Sequence, residues 1–234
     1  MSLFFPDAVL FDLDGTLVDS APDLTTAVNR TLADLDRPAI DEDRVRHWIG
    51  NGARRLVARA LAGRRGITAE PPQTEAALAR FFAHYHDCLH ERSVLYTGVA
   101  NGLGRLAALD LPLGVVTNKP GAFTQPLLEA LGIAGRFATL VSGDTLAVKK
   151  PDPAPLVHAA DALQVDIRRC LYVGDSAADR DAAAAAGALL VRVPYGYPGD
   201  DAIFDGHPAA LTLTVPALAE RLAVLHARTD RIAP

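Results

Sequence analysis

Short, largely apolar runs recur along the chain between longer stretches of mixed polarity. The runs are AVLF (8–11), LGVV (113–116), TLVS (139–142), CLYV (170–173) and LLVRV (189–193). A strand with one wet face alternates in polarity, whereas continuous runs predict strands buried on both faces of a parallel sheet. The stretches between the later runs carry helix punctuation. AFTQPLLEALG ends on Gly132, DPAPLVHAADAL has proline in its first turn, and SAADRDAAAAAG closes on Gly187; glycine just past a helix and proline just inside it are the expected signals. Strand and helix alternating from about residue 112 to 195 predict right-handed βαβ units.

The interval from about 20 to 95 has another character. SAPDLTTAVNRTLADL, DEDRVRHWIG, GARRLVARALAG and TEAALARFFAHYHDCLHERS all space their apolar residues as helices do, and none reads as a strand. Ser20 with Pro22, and the acidic DEDR, read as helix starts. The pattern predicts an α/β core built from residues 1–18 and 96–234, interrupted by a helical block over 19–95.

Composition narrows the function classes. At 234 residues, half of them apolar and 22% charged, the chain can bury a sizeable core. A net charge of -5 leaves no footprint for nucleic acid or an anionic membrane, so a small molecule is the expected partner. Two cysteines, Cys88 and Cys170, make no disulfide framework, and no apolar run reaches the about 20 residues of a membrane span. A cytoplasmic protein, monomeric or a small homo-oligomer, is expected.

The polar residues that follow the apolar runs carry the chemistry. All strands of a parallel sheet end on one edge, and ligands bind in the crevice outside it. AVLF runs into Asp12 and Asp14, LGVV into Thr117 and Asn118, and CLYVG into Asp175, with Asp179 one helical turn on. Carboxylates gathered there repel one another unless a cation sits among them, and an all-oxygen set suits Mg²⁺. Twenty of the 23 basic residues are arginine; the three lysines, Lys119, Lys149 and Lys150, fall only in TNKP and VKKP. A compact ammonium does what a planar guanidinium cannot, which marks both segments as site candidates. Carboxylate, Mg²⁺, hydroxyl and ammonium around one crevice suit phosphoryl transfer.

DLDGTLVDS, VVTNKP, KKPDPAPL and YVGDSAADRDAAAAAG resemble, in order, the four motifs of the haloacid dehalogenase superfamily of phosphohydrolases, over nearly the whole chain. The resemblance implies a Rossmann-like doubly wound parallel sheet core with an inserted α-helical cap domain. It also implies Asp12 as nucleophile and Mg²⁺ ligand, and Asp14 as general acid and base that touches Mg²⁺ through its backbone carbonyl. Thr117 and Asn118 would bond the phosphoryl group with the amides near Leu13 and Asp14. Lys150 would stabilise that group, Asp175 would complete the metal site, and Asp179 would orient Lys150 or a water. WIGNGA, TNKP, PLLEALGI and PYGYP resemble the bacterial phosphoglycolate phosphatases. That implies Mg²⁺-dependent hydrolysis of 2-phosphoglycolate, with Asn51, Gly52 and one of Arg54 or Arg55 reading the substrate. A phosphatase of sugar phosphates or pyrophosphate, a phosphomutase, a dehalogenase and a phospho-receiver are the competing expectations.

Overall fold

In the computed structural model, which describes residues 3–198 and 211–229, six parallel strands form one sheet. They are β1 (Ala8–Phe11), β4 (Leu113–Val116), β5 (Thr139–Val141), β6 (Cys170–Gly174), β7 (Leu189–Arg192) and β8 (Leu211–Thr212), in the order β5-β4-β1-β6-β7-β8. Every residue of β1, β4 and β6 is buried, which is why these runs are continuously apolar. Side chains alternate across the pleat: Val9 and Phe11 join one face of the core, and Leu10 joins the other with Tyr172 and Val116. Helices α5 (Val99–Ala107), α6 (Gly121–Ala130) and α9 (Val215–Thr229) cover the first face, and α7 (Ala154–Ala162) and α8 (Ala177–Ala186) the second.

β1 lies at the centre, with Phe11 paired to Val115 of β4 and to Val173 of β6. The chain builds outward from it in both directions, so the crevice of a doubly wound sheet opens beyond its C-terminal end. The five strands expected from the sequence are all present. The two-residue β8 and helices α5 and α9 were not among the expected elements.

Four helices make up the inserted block: α1 (Ala21–Ala33), α2 (Glu42–Arg46), α3 (Ala53–Ala62) and α4 (Thr74–Asp87). One strand is found where none was expected. Val94–Leu95 (β3) pairs antiparallel with Val18–Asp19 (β2), so a ribbon marks the two passages between core and insert. Leu24, Val28, Trp48, Leu56, Phe81 and Tyr85 of the insert belong to the same buried cluster as Phe11, Leu103 and Phe123 of the core. Phe123 of α6 meets Phe82 and Tyr85 of α4 at ring distances of 5.3 and 5.0 Å. Among the described residues, no helix is long and apolar enough to cross a membrane. Both cysteines are free and buried.

The passage between insert and core is held by a buried carboxylate. Asp23, in the first turn of α1, accepts from the Arg92 and Ser93 amides at 3.0 and 2.8 Å and from the Ser93 hydroxyl at 2.6 Å. Its charge also complements the helix N-terminus. Asp23→Ala strands three donors and is expected to cost about 3 kcal/mol in urea unfolding, whereas Ser93→Ala, which removes one, costs about 1 kcal/mol. Equal, small losses for both would show that Asp23 is not the tie.

Candidate active site

Asp12 is the first residue beyond β1, and its amide still donates to the Val173 carbonyl at 2.8 Å, so the strand's register fixes its direction. Asp14 lies two residues on, and Gly15 then turns the chain sharply with φ +89°. A side chain at Gly15 would also run into the Asp175 carboxylate, so backbone and space both require glycine there. The Asp14 carboxylate accepts from Ser20 Oγ at 2.6 Å and from Lys119 Nζ at 3.0 Å. Ser20, read with Pro22 as a helix start, does stand immediately before α1. It does so without capping the helix, because its hydroxyl is spent on Asp14.

Lys150 reaches the same edge from the loop before α7. Its Nζ lies 2.8 Å from Asp12 Oδ1 and 2.7 Å from Asp179 Oδ1, and it donates to the Tyr172 hydroxyl at 2.7 Å. Asp179 is fully buried and fully engaged. Oδ1 takes Lys150 and the Tyr172 hydroxyl, while Oδ2 takes the amide and hydroxyl of Ser176 in the capping box that starts α8. Asp175, at the end of β6, accepts from Thr16 Oγ1 at 2.8 Å and from the Tyr197 amide at 2.6 Å.

These contacts set the charges apart. Burial raises the Asp12 carboxyl to about 7, with Asp179 adding repulsion and Lys150 only partly offsetting both. Burial, and then Asp179 and Asp12, push Asp175 well above the usual carboxylate range. Burial works the same way on Asp179, but Lys150 and the Ser176 bonds outweigh it and hold this carboxyl low. Lys150 is desolvated too, yet Asp12 and Asp179 keep its proton on more firmly than in water.

Oxygens of Asp12, Asp175 and Asp179 lie within 4.8 Å of one another. One ammonium faces three carboxylates in a desolvated place, and the raised Asp12 and Asp175 carboxyls express how poorly it alone balances their charge. An oxygen-only donor set of that kind fits a hard divalent cation. Asp179 has its lone pairs taken up by protein donors, which leaves Asp12 and Asp175 as the carboxylates with capacity to spare. The Asp14 carboxylate points instead to Ser20 and Lys119.

A cleft of about 500 Å³ opens beside Asp12 and Asp14, lined also by Thr117, Asn118, Lys119, Gly50, Gly52 and Tyr85. Thr117 is buried, and its hydroxyl accepts from the Lys119 amide at 3.2 Å. Asn118 donates to the carbonyls of Gly50 and Lys150 at 3.1 and 2.9 Å, tying the insert to the core. Gly52 precedes α3 and lines the cleft.

The other expected readers of the substrate are held elsewhere. Arg54 is paired with Glu70 and Glu75 at 2.9 and 2.5 Å on the exposed side of α3. Arg55 donates to the Ile67 carbonyl at 2.8 Å. Neither lines the cleft. Asn51 accepts from Arg59, which also holds the Trp48 carbonyl, so Asn51 serves to fix the loop before α3. The family resemblance put one of the two arginines at the substrate but could not show the partners, Glu70, Glu75 and the Ile67 carbonyl, that hold them elsewhere.

A family model described as haloacid dehalogenase-like hydrolase matches residues 6–187. The chain belongs to the haloacid dehalogenase-like hydrolases. A phosphoglycolate phosphatase of Colwellia psychrerythraea is 50% identical over 199 residues, 84% of this chain and 88% of the relative. One of Escherichia coli is 41% identical, covering 95% of this chain and 94% of the relative. A crystal structure from Haemophilus somnus, described as a predicted phosphoglycolate phosphatase, is 33% identical and superposes with a TM-score of 0.82, over 94% of this chain and 99% of the other. The protein is thus a haloacid dehalogenase-like hydrolase, similar over most of its length to proteins named phosphoglycolate phosphatase, and the reading as a signalling receiver falls.

Several residues of this hydrolase's site were not singled out for it from sequence: Thr16, Ser20, Tyr85, Tyr172, Ser176 and Tyr197. Thr16 and Ser20 lie inside the first motif, so their nearness to Asp14 in the chain was a usable signal. The tyrosines arrive from other elements through tertiary packing, which no local spacing reveals.

The shortage of positive charge in the cluster has a measurable consequence. Saturating divalent cation is expected to raise the melting temperature by about 5 °C over protein in chelator, since a ligand that binds only the folded state stabilises it. Asp175→Asn should remove most of that shift. A full shift in this variant would place the cation elsewhere.

Proposed function

We propose that the protein is a Mg²⁺-dependent phosphomonoesterase that hydrolyses 2-phosphoglycolate to glycolate and phosphate through an aspartyl-phosphate on Asp12. The observation that carries this reading is the placement of two carboxylates with different partners in one cleft. Asp12 is braced by Lys150 at the end of β1, while Asp14 stands beside it on Ser20 and Lys119. The names of the relatives support the choice of substrate.

In this mechanism an Asp12 oxygen attacks phosphorus, and the bond from phosphorus to the ester oxygen breaks. Asp14 gives its proton to the departing oxygen of glycolate. Asp14 then takes a proton from a water, whose oxygen attacks phosphorus and releases phosphate from Asp12. Lys150 and the Thr117 hydroxyl offset charge on the phosphoryl oxygens, and Asp179 orients Lys150. Mg²⁺ held by Asp12, Asp175 and the Asp14 carbonyl would neutralise phosphoryl charge that one lysine leaves uncompensated. The insert supplies Gly50, Gly52 and the apolar wall that excludes bulk water from the cleft.

Phosphate release from 2-phosphoglycolate, sugar phosphates, pyrophosphate and an aryl phosphate, with and without Mg²⁺, tests the reading. The highest kcat/KM is expected for 2-phosphoglycolate, and only with Mg²⁺. A sugar phosphate or pyrophosphate in first place would keep the chemistry and overturn the substrate.

Two variants test the roles. Asp12→Asn should lower turnover by at least about a thousandfold. Asp14→Ala should lower it by about a hundredfold or more on 2-phosphoglycolate and much less on the aryl phosphate, whose leaving group needs no proton. Equal losses on both esters would count against Asp14 as the acid.

A further inference from the structure

With Arg54 and Arg55 turned away, the substrate's carboxylate needs another partner. Lys119 is the one cation among the described residues that line the cleft. It follows β4 in the core, is buried, and lies 3.0 Å from Asp14 Oδ1. It also donates to the hydroxyl of Tyr85, from the last turn of α4, at 2.5 Å, and sits 4.6 Å from the centre of that ring. The pair therefore spans core and cap.

Its hydrogen bonding is incomplete in an informative way. An ammonium only donates, so the Tyr85 hydroxyl must accept from Lys119. No acceptor among the described residues meets the hydroxyl's own proton. A buried donor left over beside a fixed positive charge, in a wall otherwise formed by Leu24, Ile49, Leu56, Phe81, Phe82 and Phe123, suits an anionic oxygen entering the cleft.

The location suits one particular oxygen. Asp14 serves the departing ester oxygen, and Lys119 touches Asp14, so a substituent carried by that oxygen lies alongside the ammonium. We propose that Lys119 and Tyr85 form the specificity-determining site for the carboxylate of the leaving group, each donating a hydrogen bond to it. This rests on 2-phosphoglycolate as substrate.

The test compares 2-phosphoglycolate with monoethyl phosphate, which keeps the alkyl leaving group and its need for a proton but lacks the carboxylate. Tyr85→Phe retains the ring that packs on Phe81 and Phe123 at 5.5 and 5.0 Å and removes only the hydroxyl; Lys119→Met removes the charge. Each variant should cut the preference for 2-phosphoglycolate, as the ratio of the two kcat/KM values, by about tenfold or more, chiefly through KM. Proportional losses on both esters would reduce Lys119 to a support for Asp14 and overturn the proposal, with the substrate assignment intact. Wild-type protein without a preference for 2-phosphoglycolate over monoethyl phosphate would overturn the substrate assignment and, with it, the need for a carboxylate site.

Discussion

The contact of Lys150 with Asp12 and Asp179 is the interaction on which the site depends. A parallel sheet delivers the ends of its strands to one edge, and in this chain β1 and β6 end there in aspartates. Desolvated carboxylates at such spacing oppose folding unless charge of the other sign is built in. One buried ammonium meets Asp12 at 2.8 Å and Asp179 at 2.7 Å, and it is itself desolvated. It balances only part of the cluster, so Asp12 and Asp175 hold their protons more tightly than carboxyls in water do. That shortfall of positive charge is what suits the edge to a divalent cation.

Asp179 illustrates how the fold keeps this arrangement rigid. Its Oδ2 closes the capping box of α8 with Ser176, and its Oδ1 holds Lys150 and Tyr172. A single side chain therefore couples the start of a helix, a buried tyrosine and the lysine that braces Asp12. The lysine's position is thus set by elements that also carry the core. This separates Asp179 from Asp12: the former is saturated by protein donors, while the latter retains capacity for chemistry.

Much of this was legible in the chain. Continuous apolar runs announce buried parallel strands, and the rule that such strands share an edge brings Asp12, Asp14, Thr117 and Asp175 together from the sequence alone. The scarcity of lysine pointed to TNKP and VKKP, and both lysines that reach the site, Lys119 and Lys150, lie there. The limits were physical. Arg54 and Arg55 were near in sequence to the cleft-lining Gly52, but Glu70, Glu75 and the Ile67 carbonyl compete for them from across a loop. Ser20 marked the start of α1 correctly, but the spacing did not show that its hydroxyl bonds Asp14 and not the helix. The strands of the ribbon, two residues each, were too short to produce any periodicity.

The ribbon has a bearing on the metal edge that follows from bonding alone. Asp19 of β2 takes both terminal nitrogens of Arg46 from α2 at 2.9 and 3.0 Å, and the Tyr197 hydroxyl donates to the same carboxylate at 2.5 Å. The Tyr197 amide in turn holds Asp175. Arg46 belongs to the insert and Asp175 to the sheet edge, so three consecutive contacts join them. Each link is partly or wholly shielded from water, and the Tyr197 phenol keeps its proton because burial, then Tyr96 and Asp19, oppose its loss. The insert cannot move as a body past Asp19 without either carrying this chain along or breaking the Arg46 pair. The position of the helices over the cleft and the direction of a carboxylate beneath it are thereby made parts of one bonded structure.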